Sequence, residues 1–412
     1  MSRVRRIVVV GAGQAGLVLA LGLQKHGYAV TVVTDRDAET IRAGRLISNQ
    51  CVFEPALRRE RALGINFWDG QAPEILGASF GLAGDSPEPA ISWQARFDHP
   101  AQSVDQRVKV STWLTAFAGR GGEVRIGKVS PDGLDEYARE FDLVLVAAGR
   151  GPQFDGLFPR DDRHSPYREP QRTIGITYLV SGRDEPLPTY PGLTFGLSQA
   201  GELFGLPVQS VRGPVFGLGF FGVPGGPLDV WDDVTDTDEH FAVAMALLRK
   251  QFPWVAESLA DARPSGPQDA LRGRVLPIVR EPVGTLPSGA KVLAMGDAAV
   301  TNDPIAGQGA NMAAHAAAVY ERRILDHGDR PFDEAFLRGT FAEYWEKAQH
   351  ATRLSNDLLA PPPDHVLATL DAAQRVPEVA HRFAQIFPDP AGYTSWLTDE
   401  EISRNYLASK GA

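Results

Sequence analysis

The stretch VVVGAGQAG, Val8–Gly16, joins a short apolar run to the start of a helix through the pattern Gly-x-Gly-x-x-Gly. The β-branched run Ile7–Val10 is typical of a buried parallel strand. In this pattern Gly11 permits a tight turn, Gly13 lets backbone approach a pyrophosphate, and Gly16 lets the helix pack on the strand. The N–H groups at the helix start can hold the anion. The stretch therefore predicts the first turn of a dinucleotide-binding βαβ unit, although a tight turn without a ligand is the alternative.

The next elements continue this unit. A helix follows over 15–25, and Ala29–Val33 predicts a second buried strand. An acidic residue that binds ribose is expected at the end of that strand, but Thr34 occupies the place and Asp35 and Arg36 follow it. Asp35 is either the ribose ligand or a solvated loop acid.

A second glycine-rich stretch, GDAAVTNDPIAGQGANM, lies at Gly296–Met312. Asp297 can accept a hydrogen bond from a ribityl hydroxyl, and the turn GQGAN starts a helix whose positive end suits the N1 edge of a flavin, which is anionic in reduced FAD. Pro304 is expected where this turn meets the flavin ring. Together the two stretches predict FAD as the cofactor; a capped loop with a structural acid is the alternative.

Composition narrows the function classes. The chain has 412 residues and a formal net charge of −10, which argues against nucleic acid or an anionic membrane surface as a partner. Its single cysteine excludes an internal disulfide and suits a reducing cytoplasm, so a cytoplasmic location is expected. The apolar runs are too short to span a membrane, and no metal-ligand spacing is present, so we expect no metal.

The pattern of elements predicts an α/β fold, in which a Rossmann-like FAD-binding domain is interrupted by a mainly antiparallel β-sheet substrate domain and followed by C-terminal helices. Short glycine-rich segments over 173–230 indicate the antiparallel sheet, and Ser111–Arg120 indicates a helix. The predicted FAD-binding domain comprises 1–50, 101–170 and 275–330, the substrate domain 51–100 and 171–274, and the helical region 331–412.

Several quoted motifs resemble a known family. The Gly-x-Gly-x-x-Gly turn combined with GD, DP and GQGAN resembles the flavoprotein monooxygenases of the hydroxybenzoate-hydroxylase fold. TDRDAETIRAGRLISNQ, DPIAGQGANMA and SQAGELFGLP are more closely similar to the styrene and indole monooxygenases. The resemblance implies a two-component system, in which a separate NADH:flavin oxidoreductase supplies reduced FAD to this chain. The predicted cofactor-binding residues are Gly11, Gly13, Gln14, Ala15, Gly16, Thr34, Asp35, Arg36, Arg45, Arg107, Gly296, Asp297, Pro304, Gly307, Gln308, Gly309, Ala310 and Asn311.

Single-component relatives carry an Asp-Gly motif after the mid-chain strand and use it with NAD(P)H. Here that strand leads into AAGRGPQ, and the nearest Asp-Gly pair begins at Asp155, several residues late. This departure predicts that the chain does not use a nicotinamide, although single-component hydroxylases also contain only one Rossmann unit.

The resemblance also implies a substrate pocket beside the flavin, with Ser48, Gln50, Val52, Ile75, Ala78, Ala101 and Pro304 as predicted substrate-binding residues. Ser48, Gln50, Ile75 and Ala101 are similar to the indole type, whereas Val52 and Ala78 depart from it. Gln50 or Ser48 could accept a hydrogen bond from the indole N–H, which styrene lacks. Both could equally cap a strand end without contacting substrate.

The implied reaction is epoxidation of a C=C bond conjugated to an aromatic ring, by reduced FAD and O2 through a C4a-(hydro)peroxyflavin. Indole would give the 2,3-epoxide and then indoxyl and indigo, and styrene is a further substrate. No catalytic side chain is expected, because the cofactor performs the oxygen transfer and the protein positions the reactants. The alternatives are a styrene-specific epoxidase, a single-component NAD(P)H-dependent aromatic hydroxylase and a non-catalytic prenyl-protein carrier. The sequence leaves the oligomeric state open.

Overall fold

The computed structural model describes residues 4–149, 154 and 156–412. In chain order the strands of these residues are β1 (Arg6–Val10), β2 (Ala29–Thr34), β3 (Glu74–Ala83), β4 (Pro89–Gln102), β5 (Glu123–Ile126), β6 (Leu143–Val146), β7 (Thr173–Ser181), β8 (Leu193–Ser198), β9 (Gly201–Ser210), β10 (Gly213–Gly222), β11 (Ala262–Pro264), β12 (Ala270–Arg274), β13 (Ile278–Val279), β14 (Val283–Thr285), β15 (Lys291–Ala294) and β16 (Val300–Thr301). The α-helices are α1 (Gln14–Lys25), α2 (Ala38–Ala43), α3 (Glu54–Ala62), α4 (Gln106–Gly119), α5 (Pro131–Glu140), α6 (Thr237–Gln251), α7 (Pro253–Ala256), α8 (Gly309–His327), α9 (Glu334–Asp357), α10 (Asp364–Ala373), α11 (Pro377–Ala384), α12 (Pro390–Trp396) and α13 (Glu400–Ser409).

The first sheet contains the N-terminal strand and has the order β14-β15-β6-β1-β2-β5 among the described residues. All its pairings are parallel except that of β14 with β15. Helix α1 packs against α8 and is buried at every position from 14 to 23, because it lies between α8 and the sheet. The carboxyl ends of the parallel strands meet at one edge, which is where ligands bind in folds of this kind.

The second sheet is mainly antiparallel and has the order β11-β7-β10-β9-β8-β3-β4, with β12 also paired to β7. The pairing of β3 with β8 is parallel. Helices α6 and α7 cover one face, where Phe220 lies 5.8 Å from Trp231 between ring centroids. The C-terminal helices cover the other, where the Phe387 ring stacks on Phe195 at 4.8 Å. This arrangement confirms the predicted α/β fold class, with its antiparallel second sheet and its C-terminal helices.

Helix α4 begins at Gln106, five residues before the predicted start. The Asp105 carboxylate caps it by accepting a hydrogen bond from Arg107 N at 2.8 Å. In the part of the chain that the structure describes, no helix has both the length and the apolar character needed to cross a membrane.

Candidate cofactor and substrate site

The three glycines of the first turn occupy different surroundings. Gly11 has φ +118°, and a Cβ there would lie 2.4 Å from the Ala147 carbonyl group. A Cβ on Gly16 would lie 2.2 Å from Gly11 O, so both positions exclude any larger residue. A Cβ on Gly13 would meet no atom within 4 Å. Gly11 and Gly16 therefore close the turn, whereas Gly13 presents bare backbone to open space.

This open space is a cleft along the carboxyl edge of the first sheet. It has a volume of about 2290 Å³, including the part open to solvent. The residues that follow β1, β2, β5, β6 and β15 all contribute to it: Gly11, Asp35, Gly127, Ala147 and Gly296. Gly309 lines the cleft as well, and a Cβ on Gly127 or on Gly309 would meet no atom within 4 Å. Bare backbone along the cleft and two helix starts beside it fit a long ligand with a pyrophosphate, such as FAD.

The outer end of the cleft lies where β2 and β5 stop. The Thr34 hydroxyl donates to Arg36 O at 3.1 Å, and Asp35 pairs with Arg36 at 3.4 Å between Oδ1 and Nε. Lys128 lines the same end. Lys128 was not predicted from the sequence, because it belongs to no motif. It follows the short strand β5, which pairs with β2, and this position was the one indication of its place.

The second glycine-rich stretch forms the other end of the cleft. Two short 3-10 turns, Gly296–Ala298 and Pro304–Ala306, precede α8. The backbone oxygen of Asp297 accepts from Thr301 Oγ1 at 2.8 Å and from Arg280 Nη1 at 3.3 Å, so the turn is held from two sides. The predicted residues of this stretch that line the cleft are Gly296, Asp297, Pro304, Gly307, Gly309 and Ala310. From the first turn and the end of β2, the predicted residues that line it are Gly11, Gly13, Gln14, Ala15, Thr34, Asp35 and Arg36, and their contacts with FAD stay predictions.

An apolar chamber adjoins this end of the cleft. It has a volume of about 920 Å³, including the space at its mouth. Side chains from the second sheet and the C-terminal helices form its walls, chiefly Ile174, Ile176, Leu193, Phe195, Phe204, Leu206, Phe221, Val275 and Phe387. The segment 47–50 together with Pro304 and Gly307 lines both cavities and forms the wall between them. We call these residues the shared wall.

The shared wall carries polar atoms with different hydrogen bonding. Within the described residues, the buried atoms Ser48 Oγ and Asn49 Oδ1 have no hydrogen-bond partner. The Gln50 amide, in contrast, is engaged at both ends, since Gln14 Nε2 donates to its oxygen and its nitrogen donates to Val104 O at 2.6 Å. The Gln50 oxygen has a second lone pair, so its predicted role as the acceptor of a substrate N–H stays a prediction. The buried acceptors of this wall without any partner are on Ser48 and Asn49.

Four predicted substrate residues do not reach the chamber. Ile75 and Ala101 are cross-strand partners between β3 and β4, and both are fully enclosed in the core. Ala78 lies beside Leu193 in the sheet, and Leu193 forms the chamber wall there. Val52 packs instead in a small cluster with Ala56, Leu57 and Ala314. None of the four lines either cavity, and their predicted contact with substrate stays a prediction.

Arg107 is a structural residue and does not line the cleft. Its guanidinium pairs with Asp105 and Asp269, each at 2.6 Å from Nη2, and its Nη1 donates to Gly44 O at 3.3 Å. Burial alone would lower the pKa of Arg107, but the hydrogen bonds and ion pairs with both carboxylates raise it. Because these donors are engaged, Arg107 connects α4 to the loops at 44 and 269, and its predicted contact with the flavin is corrected.

Other predicted cofactor residues also have structural roles. The Asn311 side chain accepts from Phe53 N at 2.9 Å and donates to Cys51 O at 2.9 Å, which fixes α8 to the segment after the shared wall. The Gln308 amide nitrogen donates to Phe387 O at 2.9 Å. Arg45 is exposed and lies outside the residues that line either cavity. Gly16 acts through packing, and Asp155 lies outside the described residues.

Cys51 lines the chamber, and burial raises the pKa of its thiol well above the usual range. The thiol therefore stays protonated and is a poor nucleophile.

Comparisons with known proteins agree with this geometry. A family model described as "Styrene monooxygenase A putative substrate binding domain" matches residues 149–258. The styrene monooxygenase StyA of Pseudomonas fluorescens is 30% identical over 399 residues, which cover 94% of this chain and 93% of that protein. The styrene monooxygenase StyA of a Pseudomonas sp. is 29% identical over 398 residues, with the same shares covered. The solved structure of the flavin-dependent brominase Bmp2 matches with a TM-score of 0.71 at 16% identity and covers 98% of each chain, which is a likeness of fold.

Proposed function

Because the chain belongs to the styrene monooxygenase family, we propose that it epoxidises a C=C bond conjugated to an aromatic ring, with indole as the preferred substrate and styrene as a further one. It is a flavin-dependent monooxygenase, and FAD is its cofactor. We propose that a separate NADH:flavin oxidoreductase reduces the FAD. The observation that carries the proposal is the shared wall, at which a pyrophosphate-type cleft meets an apolar chamber.

Bound FAD, once reduced, supplies the activation of O2 for transfer of one oxygen atom. The residues of the chain hold and orient the reactants. The backbone at Gly13 and the start of α1 would bind the pyrophosphate, and Asp297 would accept a hydrogen bond from a ribityl hydroxyl. Pro304 and segment 47–50 hold the reactive end of the cofactor at the chamber mouth. The apolar walls exclude water, so that the activated oxygen is transferred to the substrate before it is released as hydrogen peroxide.

The two unused acceptors of the shared wall support indole as the preferred substrate. Indole has an apolar ring and one N–H donor, so it can fill the chamber and, once a side-chain rotation brings Ser48 Oγ or Asn49 Oδ1 to the chamber surface, donate to one of these buried acceptors. Styrene fills the same space but offers neither atom a hydrogen bond. A hydrogen bond to a buried acceptor contributes about 1–3 kcal/mol, which corresponds to roughly 5- to 150-fold in efficiency.

The test is the ratio of kcat/KM for indole to that for styrene, measured with a flavin reductase, FAD and NADH. Ser48→Ala and Asn49→Leu should be compared with Ser103→Ala, which removes another buried hydroxyl without a partner but lines neither cavity. At least one shared-wall variant should lower the ratio by about 5- to 150-fold, and Ser103→Ala should leave it unchanged. A strong preference of the wild-type protein for styrene, or equal loss on both substrates, would contradict indole as the preferred substrate.

A further inference from the structure

A further cavity lies on the face of the second sheet that α6 and α7 cover. We call it the outer groove, and its volume is about 950 Å³, including the part open to solvent. Successive residues of a strand face opposite sides of a sheet. In β8, Thr194 therefore faces the groove, whereas Phe195, which borders both cavities, stacks on Phe387 at the chamber. The second sheet thus separates the outer groove from the chamber. The side chains that chiefly line the groove are Ser79, Tyr190, Thr194, Phe216, Trp254 and Ser258.

Two glycines of β3 make room for two aromatic side chains in the outer groove. A Cβ on Gly77 would lie 2.9 Å from the Tyr190 hydroxyl oxygen, and a Cβ on Gly81 would lie 2.6 Å from Trp254 Nε1. Gly77 and Gly81 are separated by about 13 Å along the strand, and Ser79 lies midway between them on the same face. The two aromatic side chains therefore stand at the ends of a slot that has room for one or two fused rings.

Hydroxyl groups form the floor of this slot. Ser79 and Thr194 are cross-strand partners between β3 and β8. The Ser79 hydroxyl donates to Leu193 O and to Thr194 Oγ1, each at 3.4 Å. Hydrogen bonds of this length are weak, so the hydroxyl can turn to a ligand at small cost. Burial raises the pKa of Tyr190, against the opposing effect of the Arg96 charge, so the phenol stays protonated and can also donate.

The lining of the outer groove also determines the charge of a ligand. Among the described residues that line it, none carries a charged side chain. An ion would lose part of its hydration there without gaining a counter-charge, which is unfavourable. Aromatic side chains prefer a flat apolar partner, and hydroxyl donors require an acceptor. These features together fit a flat, uncharged molecule with a hydrogen-bond acceptor.

We infer that the outer groove is a second small-molecule site, which takes an uncharged, planar aromatic compound that carries a carbonyl group. The ring lies between Tyr190 and Trp254, and the carbonyl oxygen accepts a hydrogen bond from the Ser79 hydroxyl on the floor of the slot. The site itself does not depend on the proposed function. The use of styrene in the test below does, because there styrene serves to fill the chamber.

The test uses oxindole, an uncharged two-ring compound with one carbonyl group, and measures its binding by calorimetry in the presence of saturating styrene. The wild-type protein should still bind oxindole under these conditions, because styrene has no acceptor for the hydroxyls of the groove. Ser79→Ala and Thr194→Val should each weaken oxindole binding about threefold or more, since each removes a hydroxyl from the floor. Both variants should bind FAD as the wild-type protein does.

Thr177→Val is the matched control. Thr177 belongs to β7 of the same sheet, and its buried hydroxyl has no partner within the described residues. It lines neither the chamber nor the outer groove, so its replacement should leave oxindole binding unchanged. Thermal unfolding of each variant without ligand shows whether a lost affinity reflects lost structure.

The possible outcomes separate the inference from the proposed function. Oxindole that does not bind to the wild-type protein, or that styrene displaces completely, would overturn the inference and leave the proposed function intact. Equal oxindole affinity of the wild-type protein, Ser79→Ala and Thr194→Val would also overturn it. Displacement of oxindole by glucose would show a saccharide site instead. Failure of styrene itself to bind would count against the proposed function, and the same variants, titrated without styrene, would still decide the inference.

Discussion

At the scale of single residues, the three glycines of the turn after β1 differ in what lies where a Cβ atom would be. At Gly11 and Gly16 neighbouring backbone already occupies that volume, so a variant must keep both glycines in order to fold. At Gly13 the volume is open and belongs to the cleft. The sequence pattern predicted this division, with Gly11 and Gly16 shaping the turn and Gly13 open to a ligand, and the space around the three residues agrees with it.

Gly13→Ala should therefore weaken FAD binding without harming the folded protein. Nothing lies within 4 Å of the new Cβ, and the backbone at Gly13 has φ −78°, which alanine adopts readily. Replacement of a glycine at a compatible position stabilises a protein by about 0.4–1 kcal/mol through the unfolded state. We expect an unchanged or slightly higher unfolding temperature and a loss of FAD affinity of about tenfold or more, because the methyl group occupies the space that the pyrophosphate needs.

The control for this substitution is Gly119→Ala, at the end of α4. Its Cβ also meets nothing within 4 Å, but Gly119 lies outside the cleft. FAD titration of both variants by fluorescence decides the question. Equal FAD affinity for wild type, Gly13→Ala and Gly119→Ala would show that the first turn does not hold the cofactor.

Gln50 and Ser48 show where sequence reasoning stops at this scale. Both were predicted as substrate residues from the resemblance to the styrene and indole monooxygenases, and both line the chamber. The hydrogen bonds of Gln50 involve Gln14 and Val104, which are 36 and 54 residues away, and no local pattern encodes them. Asn49, whose side-chain oxygen is buried without a partner beside Ser48, was missed because nothing in the sequence marks it as part of the shared wall.

At the scale of elements, α8 starts at the inner end of the cleft and has no acidic residue in its first turn. Its positive end is therefore not neutralised locally, and it should stabilise a flavin edge that becomes anionic on reduction. We expect reduced FAD to bind more tightly than oxidised FAD by about 2- to 30-fold, from a helix-dipole contribution of about 0.3–2 kcal/mol. Anaerobic titration of both redox forms tests this expectation, and equal or tighter binding of oxidised FAD would contradict it.

Helix α4 is tied to the second sheet by the buried arginine that sequence resemblance had placed at the flavin. Removal of Arg107 leaves Asp105 and Asp269 as buried carboxylates without this partner. Arg107→Met should lower the free energy of unfolding by about 3–5 kcal/mol, the usual result of breaking a buried ion pair. Denaturant unfolding measures this loss, and FAD titration of the folded fraction should show a smaller change than Gly13→Ala does.

The matched control is Arg375→Met, which breaks an exposed pair with Asp371 on the helical region. Such surface pairs contribute about 0–1 kcal/mol. If Arg107→Met were as stable as Arg375→Met but failed to bind FAD, Arg107 would be a cofactor residue after all.

The late prediction of the start of α4 and the prediction of Arg107 as a flavin contact have the same cause, which is the buried position of Asp105 and Arg107. Asp105 caps the helix and also pairs with Arg107, so a polar stretch that resembles a loop in the sequence is buried in the structure. The polar residues 105–107 do not by themselves indicate a helix start, and the sequence therefore predicted the helix five residues too late. Elements with continuous apolar runs were placed more closely: the strand predicted at Ala29–Val33 is β2, Ala29–Thr34.

At the scale of the whole molecule, the candidate site belongs to neither sheet alone. The first sheet provides the cleft, the second sheet and the C-terminal helices provide the chamber, and the shared wall joins the two cavities. The fold class and the cleft could be predicted because strand–turn–helix motifs are local in sequence. The resemblance implied a pocket beside the flavin, but most of its walls could not be predicted, since they combine residues from 47 to 387 whose contacts arise only when distant segments pack.

The central claim is that this chain alone transfers oxygen from O2 to an aryl-conjugated C=C bond, provided that FAD arrives already reduced. The most direct test mixes the protein with one equivalent of anaerobically reduced FAD and styrene or indole, and then adds ¹⁸O2 without reductase or nicotinamide. We expect one ¹⁸O atom in styrene oxide, or in the products of indole, and no oxidation of NADH or NADPH when either is added to the protein with oxidised FAD. Formation of hydrogen peroxide without labelled product, or rapid reduction of bound FAD by NAD(P)H, would contradict the claim.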